Sequence, residues 1–179
     1  LNGNGVFGIS NDNLIFTATA TLNAFEVNKE LLGDGSLVCV YNDEKESVGI
    51  NGKFLKNDYV VLSCRGFFYP YKHKDNLDLE INLDKLSLKY AEAYTEGIFS
   101  NLSGYVSGDL VLKGSSEEPV LEGKLDFQKS YFKIDYLNTA YSFNGSAVLT
   151  KNKITFKDVL FTDVKGNKGK SSGVFTHYY

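Results

Sequence analysis

Apolar residues recur at every second position in segment after segment of this chain. From Leu102 the even positions read Leu102, Gly104, Val106, Gly108, Leu110 and Leu112, with Ser103, Tyr105, Ser107 and Asp109 between them. Leu77, Leu79, Ile81 and Leu83 alternate with Asp78, Glu80, Asn82 and Asp84. Leu121, Gly123, Leu125 and Phe127 alternate with Glu122, Lys124, Asp126 and Gln128. In a strand, successive side chains point to opposite sides, so a period of two collects the apolar ones on one face; a helical period would scatter them. The chain must therefore fold as strands, each with one oily side.

The same alternation predicts a strand over Leu14 to Ala24, with Leu14, Phe16, Ala18, Ala20 and Leu22 opposite Thr17, Thr19 and Thr21. It predicts others over Leu37 to Tyr41, Val48 to Phe54, Tyr59 to Phe68 and Phe132 to Tyr136, at Tyr141 with Phe143, and at Ile154 with Phe156. Asn51-Gly52 has hairpin-turn chemistry, but the alternation runs through it, so it reads as strand. Turns are expected over Lys29 to Ser36, which carries Gly33-Asp34-Gly35, at Asn42 to Glu46, and at Asn57-Asp58. A loop around Pro70 should cover Tyr69 to Asn76. At Lys85 the phase slips by one and Leu86 and Leu88 continue the apolar side, the signature of a bulge. Lys89 to Glu96 predicts one short helix, with Tyr90, Ala91 and Tyr94 three to four apart and Gly97 as its stop. So short a helix must dock to persist. With Leu1 to Ser10, which frays or begins a strand, and a strand at Phe175 to Tyr179, the segments total about twelve strands joined by short turns, which favours antiparallel neighbours, and no long crossover helix supports a parallel sheet. The 12 Tyr and 13 Phe fit the strand reading.

Charge and chemistry exclude several function classes. With 19 basic and 22 acidic side chains the net charge is −3, so nucleic acid is not expected as a partner. His73 and His177 are too few and too scattered for a metal site. The one Gly-x-Ser-x-Gly match, Gly169 to Gly173, has no helix pattern after it and does not read as a nucleophile elbow. Asp163, Gly166, Asn167 and Gly169 lack the spacing of a calcium loop and read as a tight turn. No catalytic residue, metal or cofactor is expected, and the chain does not read as an enzyme. Cys39 and Cys64 fall on the first and third strands of a meander, about 9.6 Å apart across the sheet, which is beyond disulfide reach; they read as buried free thiols. With no initiating Met and no leader, the chain reads as one β segment of a longer protein.

An oily face needs a cover. A closed barrel or two-sheet sandwich would supply one from its own side chains. An open sheet would offer the face to a ligand instead. Ala18, Ala20, Gly52, Gly66, Gly104, Gly108 and Gly123 lie in phase with large apolar neighbours. They remove volume that a packed core needs, or they relieve bends. Alternation alone leaves both readings open.

The run Leu102-Ser103-Gly104, Gly108-Asp109-Leu110, Gly114, then Pro119-x-Leu121-x-Gly123, resembles the C-terminal region of the TamB family. So do Tyr131 to Asp135, Ile154, Phe156, Asp163-x-x-Gly166-Asn167-x-Gly169, and Gly173 with His177. The resemblance covers 102–179, behind a helix at 89–96, and residues 1–88 add strands of compatible texture. It implies an all-β fold: one long, curved, open antiparallel sheet, a β-taco-like groove, with one short helix. It implies a non-enzymatic protein of the Gram-negative periplasm, anchored in the inner membrane at full length. Such a protein moves phospholipid between the inner and outer membranes or serves outer-membrane protein assembly, with an outer-membrane barrel of TamA or BamA type as partner. The groove for acyl chains is then expected at Leu77, Leu79, Ile81, Leu83, Leu110, Leu112, Leu121, Leu125, Phe127, Ile154 and Phe156. The alternatives are a small closed barrel carrying one lipophilic ligand and a structural piece of an outer-membrane or surface β protein. Pairing of the first strand with the last separates the closed forms from the open one.

Overall fold

The computed structural model describes residues 2–10 and 13–176. His177 and the side chain of Leu14 lie outside what it describes. The elements are β1 (Asn2–Ser10), β2 (Asn13–Val27), β3 (Glu30–Asn42), β4 (Ser47–Lys56), β5 (Tyr59–Phe68), β6 (Leu77–Ser87), a 3₁₀ helix (Leu88–Tyr94), β7 (Phe99–Gly114), β8 (Pro119–Ile134), β9 (Thr139–Thr150), β10 (Lys153–Asp163) and β11 (Lys168–Thr176). They form one sheet in which strand order is chain order, β1 to β11. Neighbours run antiparallel, as Cys39↔Ile50, Gly52↔Cys64, Leu125↔Ala147 and Ile154↔Phe175 illustrate. Among the described residues β1 and β11 are the two edges and do not pair with each other. The sheet is open, which rejects a closed barrel.

Eleven strands stand where about twelve were expected, because 121–127 and 132–136 are one strand. β8 runs through a bulge between Phe127 and Ser130 and ends at Ile134, leaving Tyr136 exposed in the turn. The second correction is at Gly33-Asp34-Gly35, which lies inside β3 and is not a turn. Gly33 has φ 129°, and a Cβ there would sit 1.9 Å from the Leu55 carbonyl oxygen. Glycine serves close strand approach at this point, not chain reversal. The reversal before β3 is the pair Asn28-Lys29, both at positive φ, as in a two-residue hairpin turn. Asn57-Asp58 repeats that geometry where a turn was expected.

At Lys85 the backbone is left-handed, with φ 50°, and Asp84 and Lys85 are both exposed before Leu86 resumes the less exposed side, as the phase slip predicts. The helix is a 3₁₀ turn one residue ahead of its expected start, with the Ser87 Oγ accepting the Lys89 N–H at 3.4 Å. It docks by burying Tyr90, whose carbonyl accepts from Asn28 Nδ2 at 3.4 Å, and by the ion pair of Lys89 with Glu30 at 3.4 Å. The 69–76 loop closes through the Tyr69 N–H to the Asn76 carbonyl at 2.9 Å. Buried Asn76 then accepts the Ser116 N–H at 2.9 Å, tying this loop to the β7–β8 turn.

Contacts divide the chain into two compact units. Unit 1 is Leu1–Glu26, Leu31–Asn82 and Leu110–Leu121; unit 2 is Val27–Glu30, Leu83–Asp109 and Glu122–Tyr179.

Candidate functional site

Directly opposed residues on neighbouring strands share a face, so the registers write out each apolar surface row by row. In unit 1 the rows are Tyr41–Val48–Phe68, Cys39–Ile50–Gly66, Leu37–Gly52–Cys64 and Gly35–Phe54–Leu62. Large and small residues alternate along and across these rows. Gly66, at φ 147°, lies where a Cβ would meet the Asp78 carbonyl oxygen at 2.1 Å and the Leu79 Cα at 2.9 Å. That close approach brings β6 against β5, and Leu79 is buried there. Phe25 packs on Phe54 with ring centroids 5.5 Å apart.

Cys39 and Cys64 occupy adjacent rows with β4 between them and are free, as the meander predicted. They are half-buried, not buried. Partial burial still pushes the Cys64 thiol pKa up. A free thiol on this face is therefore an apolar filler that a reagent can reach.

In unit 2 the rows are Gly123–Leu149–Ile154–Phe175, Leu125–Ala147–Phe156–Gly173, Ser130–Phe143–Phe161–Gly169 and Phe132–Tyr141–Asp163. Between the second and third, Phe127 opposes Gly145, and a Cβ on Gly145 would meet Val159 at 2.8 Å. The rings form one network. Phe132 lies 5.2 Å from Phe99, 5.4 Å from Phe143, 6.0 Å from Tyr141 and 6.3 Å from Phe161, mostly edge to face. Phe143 also stacks on Phe161 at 5.9 Å and touches Phe127 at 5.5 Å. Such pairs contribute about 0.5–1.5 kcal/mol each beyond their area.

These faces lack a second layer. The elements that the structure describes are a single sheet and one short helix. Buried apolar side chains are Leu32, Leu79, Tyr90, Val106, Leu110, Ala147 and Val159, which is too few for a sandwich core. The ring residues Phe127, Phe132, Tyr141, Phe143 and Phe161 are all half-buried.

Of the residues expected to form a groove, Leu125, Phe127, Ile154 and Phe156 come together on one face of unit 2. Leu83 also belongs to unit 2 and is half-buried. In unit 1, Leu77, Leu79 and Ile81 lie on the less exposed side of β6, while Asp78, Glu80 and Asn82 are exposed. Leu110 is buried and Leu112 half-buried on β7, and Leu121 is exposed at 37%. Sequence reasoning left Phe161 and Val159 out, and it read Phe132, Tyr141 and Phe143 as strand residues only. The available signal was the spacing Phe127 to Ser130 and Phe156 to Val159, a phase slip like the one read at Lys85.

The opposite face is polar, with some apolar residues. Arg65 pairs with Glu80 at 2.7 Å across an open concavity of about 630 Å³ that Val38, Val40 and Phe67 also line. Val148 and Leu160 are exposed on the same side of unit 2. Asp163 organises its own turn: Oδ1 accepts the Lys165 and Asn167 N–H groups at 2.8 Å, and Oδ2 accepts from Asn167 Nδ2 at 2.8 Å. Those donors, Asn167 first, hold its carboxyl pKa below the usual value. Among the described residues no helix is long and apolar enough to cross a membrane.

No curated protein and no solved structure matches the chain. The family model for the TamB C-terminal domain matches residues 69–177, more than half of the chain. The match begins at residue 69, so it takes in β6 and the helix as well as the block from 102 that carries the resemblance. The chain therefore belongs to the TamB family, envelope proteins of the translocation and assembly module.

Proposed function

We propose that the apolar face of this sheet carries phospholipid acyl chains, within a non-enzymatic protein of the Gram-negative periplasm that is anchored in the inner membrane at full length. The cargo passes between the inner and outer membranes, and the same segment serves outer-membrane protein assembly beside a barrel of TamA or BamA type. The face for lipid is built from Leu77, Leu79, Ile81, Leu83, Leu110, Leu112, Leu121, Leu125, Phe127, Ile154 and Phe156, extended by Phe132, Phe143 and Phe161, with Leu79 and Leu110 buried beneath it.

The observation that carries this reading is the aromatic face of unit 2, where half-buried rings form one network on a single sheet layer. A continuous apolar face on a single sheet layer is the kind of surface that takes a ligand. The energetics suit acyl transport. A methylene exposed to water costs about 0.8 kcal/mol, or roughly 12 kcal/mol for a sixteen-carbon chain. A continuous oily face removes most of that barrier and needs no catalytic group.

The test uses phosphatidylcholine vesicles carrying a photoreactive acyl chain, with crosslinked residues read by mass spectrometry. Labels should fall on Leu125, Phe132, Phe143 and Phe161 and spare Val148 and Leu160, which are exposed apolar residues of the opposite face. In unit 1 the same vesicles should slow alkylation of Cys39 and Cys64. Equal labelling of both faces, with no thiol protection, would reject the reading.

A further inference from the structure

Outside the turns and the 69–76 loop, every non-glycine residue at positive φ among the described residues sits in a strand: Ala24 (49°), Lys85 (50°), Asn101 (57°), Lys129 (49°) and Asp158 (56°). That conformation is unfavourable for a side-chain-bearing residue and persists only where neighbours hold it. The holding contact is the same each time. The backbone N–H donates to a side-chain oxygen of another element: Ala24 to Asp34 Oδ1 at 2.8 Å, Lys85 to Ser107 Oγ at 2.9 Å, and Asn101 to Glu92 Oε1 at 2.7 Å. Lys129 donates to Asn144 Oδ1 at 2.7 Å, and Asp158 to Ser172 Oγ at 2.9 Å.

Two registers show why. Phe127 pairs Gly145 and Ser130 pairs Phe143, so Asn144 alone opposes Gln128 and Lys129. Phe156 pairs Gly173 and Val159 pairs Ser171, so Ser172 alone opposes Lys157 and Asp158. In each bulge the single residue facing the extra pair supplies the acceptor. A bulge moves the apolar phase by one. Leu83 is thereby followed by Leu86, Phe127 by Ser130 and Phe132, and Phe156 by Val159 and Phe161, with two exposed residues inside each gap. Without the slip, Phe132 and Phe161 would face the polar side.

We infer that Asp34, Ser107, Asn144 and Ser172 are positioning residues. Each latches a left-handed bulge and so keeps the apolar face continuous along its strand, without belonging to that face. The effect on lipid rests on the function proposed above; the effect on the bulge does not.

The test is Asn144→Ala in the full chain, beside Asn144→Asp, which keeps an acceptor oxygen. Asn144→Ala is expected to speed Lys129 amide exchange about tenfold, the equivalent of one lost hydrogen bond. It should also weaken ring contacts of Phe132 with Phe143 in NMR and lower photolabelling at Phe132 several-fold. Asn144→Asp should retain wild-type behaviour. Lys129→Gly added to Asn144→Ala should restore the ring contacts, since glycine holds positive φ unaided. Unchanged exchange and ring contacts in Asn144→Ala, or no rescue by Asn144→Asp, would overturn the latch. A released bulge with unchanged labelling would leave the latch standing and reject the lipid face. If Asn144→Ala does not fold, Ser172→Ala read at the Asp158 amide separates the same outcomes.

Discussion

The two units solve one problem with different side chains. Unit 1 presents a mixed face, in which Leu37 and Ile50 share rows with Gly52, Gly66 and the two free thiols, while Tyr41, Phe54 and Phe68 sit in the flanking rows. Unit 2 presents an aromatic face, in which Phe127, Phe132, Tyr141, Phe143 and Phe161 touch ring to ring. Close backbone approach holds the unit 1 face, as at Gly33 and Gly66, and it recurs in unit 2 at Gly104 and Gly108. The aromatic face is held by rings that support one another, and by bulges in β8 and β10 that keep them in phase. A single sheet layer can thus be stiffened through the backbone, and in unit 2 a ring network adds to that. The two kinds should break differently.

The largest difference is expected from charge. Leu79→Arg in unit 1 removes a buried side chain at 8% exposure and leaves the guanidinium no short route to water. A loss of about 4 kcal/mol in urea unfolding is predicted. Leu125→Arg in unit 2 starts half-buried, and a long Arg can turn its charge outward, so about 1 kcal/mol is predicted. Equal losses would erase the distinction.

Next come the glycines. Gly66→Ala forces a Cβ into backbone at positive φ and should cost about 2–3 kcal/mol, with no single compensating change. Gly145→Ala meets only the Val159 side chain, so about 1 kcal/mol is expected, recovered when Val159→Ala is added. Failure of that recovery in thermal melts would place the Gly145 constraint in the backbone too.

Ring truncation sharpens the same contrast on a smaller scale. Phe132→Leu removes contacts with four rings and should cost about 2 kcal/mol, while Phe54→Leu loses its partner Phe25 and should cost about 1 kcal/mol. The smallest effect is the Asp163 turn of unit 2. Its carboxyl pKa is depressed by Asn167, so its stabilisation is present above the ordinary carboxylate value of 3.8 and is lost as pH falls through the folded pKa. Asp163→Asn should flatten that acid limb in melts between about pH 5 and 2, with the variant slightly less stable than wild type at neutral pH and equal to it in acid.

Most of the fold was legible because alternation is a backbone property: β6 shows Leu79 buried between exposed Asp78 and Glu80, as its letters predict. The Lys85 bulge was legible because a leucine stands on each side of the slip. The bulge in β8 was not, because Ser130 resumes the apolar phase without an apolar letter, and one strand therefore looked like two. Gly33-Asp34-Gly35 misled for a related reason. Glycine permits both a reversal and a close approach, and only the position of Leu55 on the neighbouring strand decides between them. Leu125, Phe127, Ile154 and Phe156 were legible as a group, whereas the ring network depends on register, which no single strand encodes.

Strand order equal to chain order has a consequence for how this protein is made and how it evolves. Each strand gains its hydrogen bonds from the strand just before or just after it. Stability then accumulates as a sum of nearest-neighbour terms, and folding can start at any hairpin and grow outward. No pairing waits for a distant partner, so loop-closure entropy stays small and the search is short. A chain delivered from one end can therefore fold as it arrives. A hairpin gained or lost in pairs of strands would lengthen or shorten the sheet while leaving the pairing of every other hairpin intact.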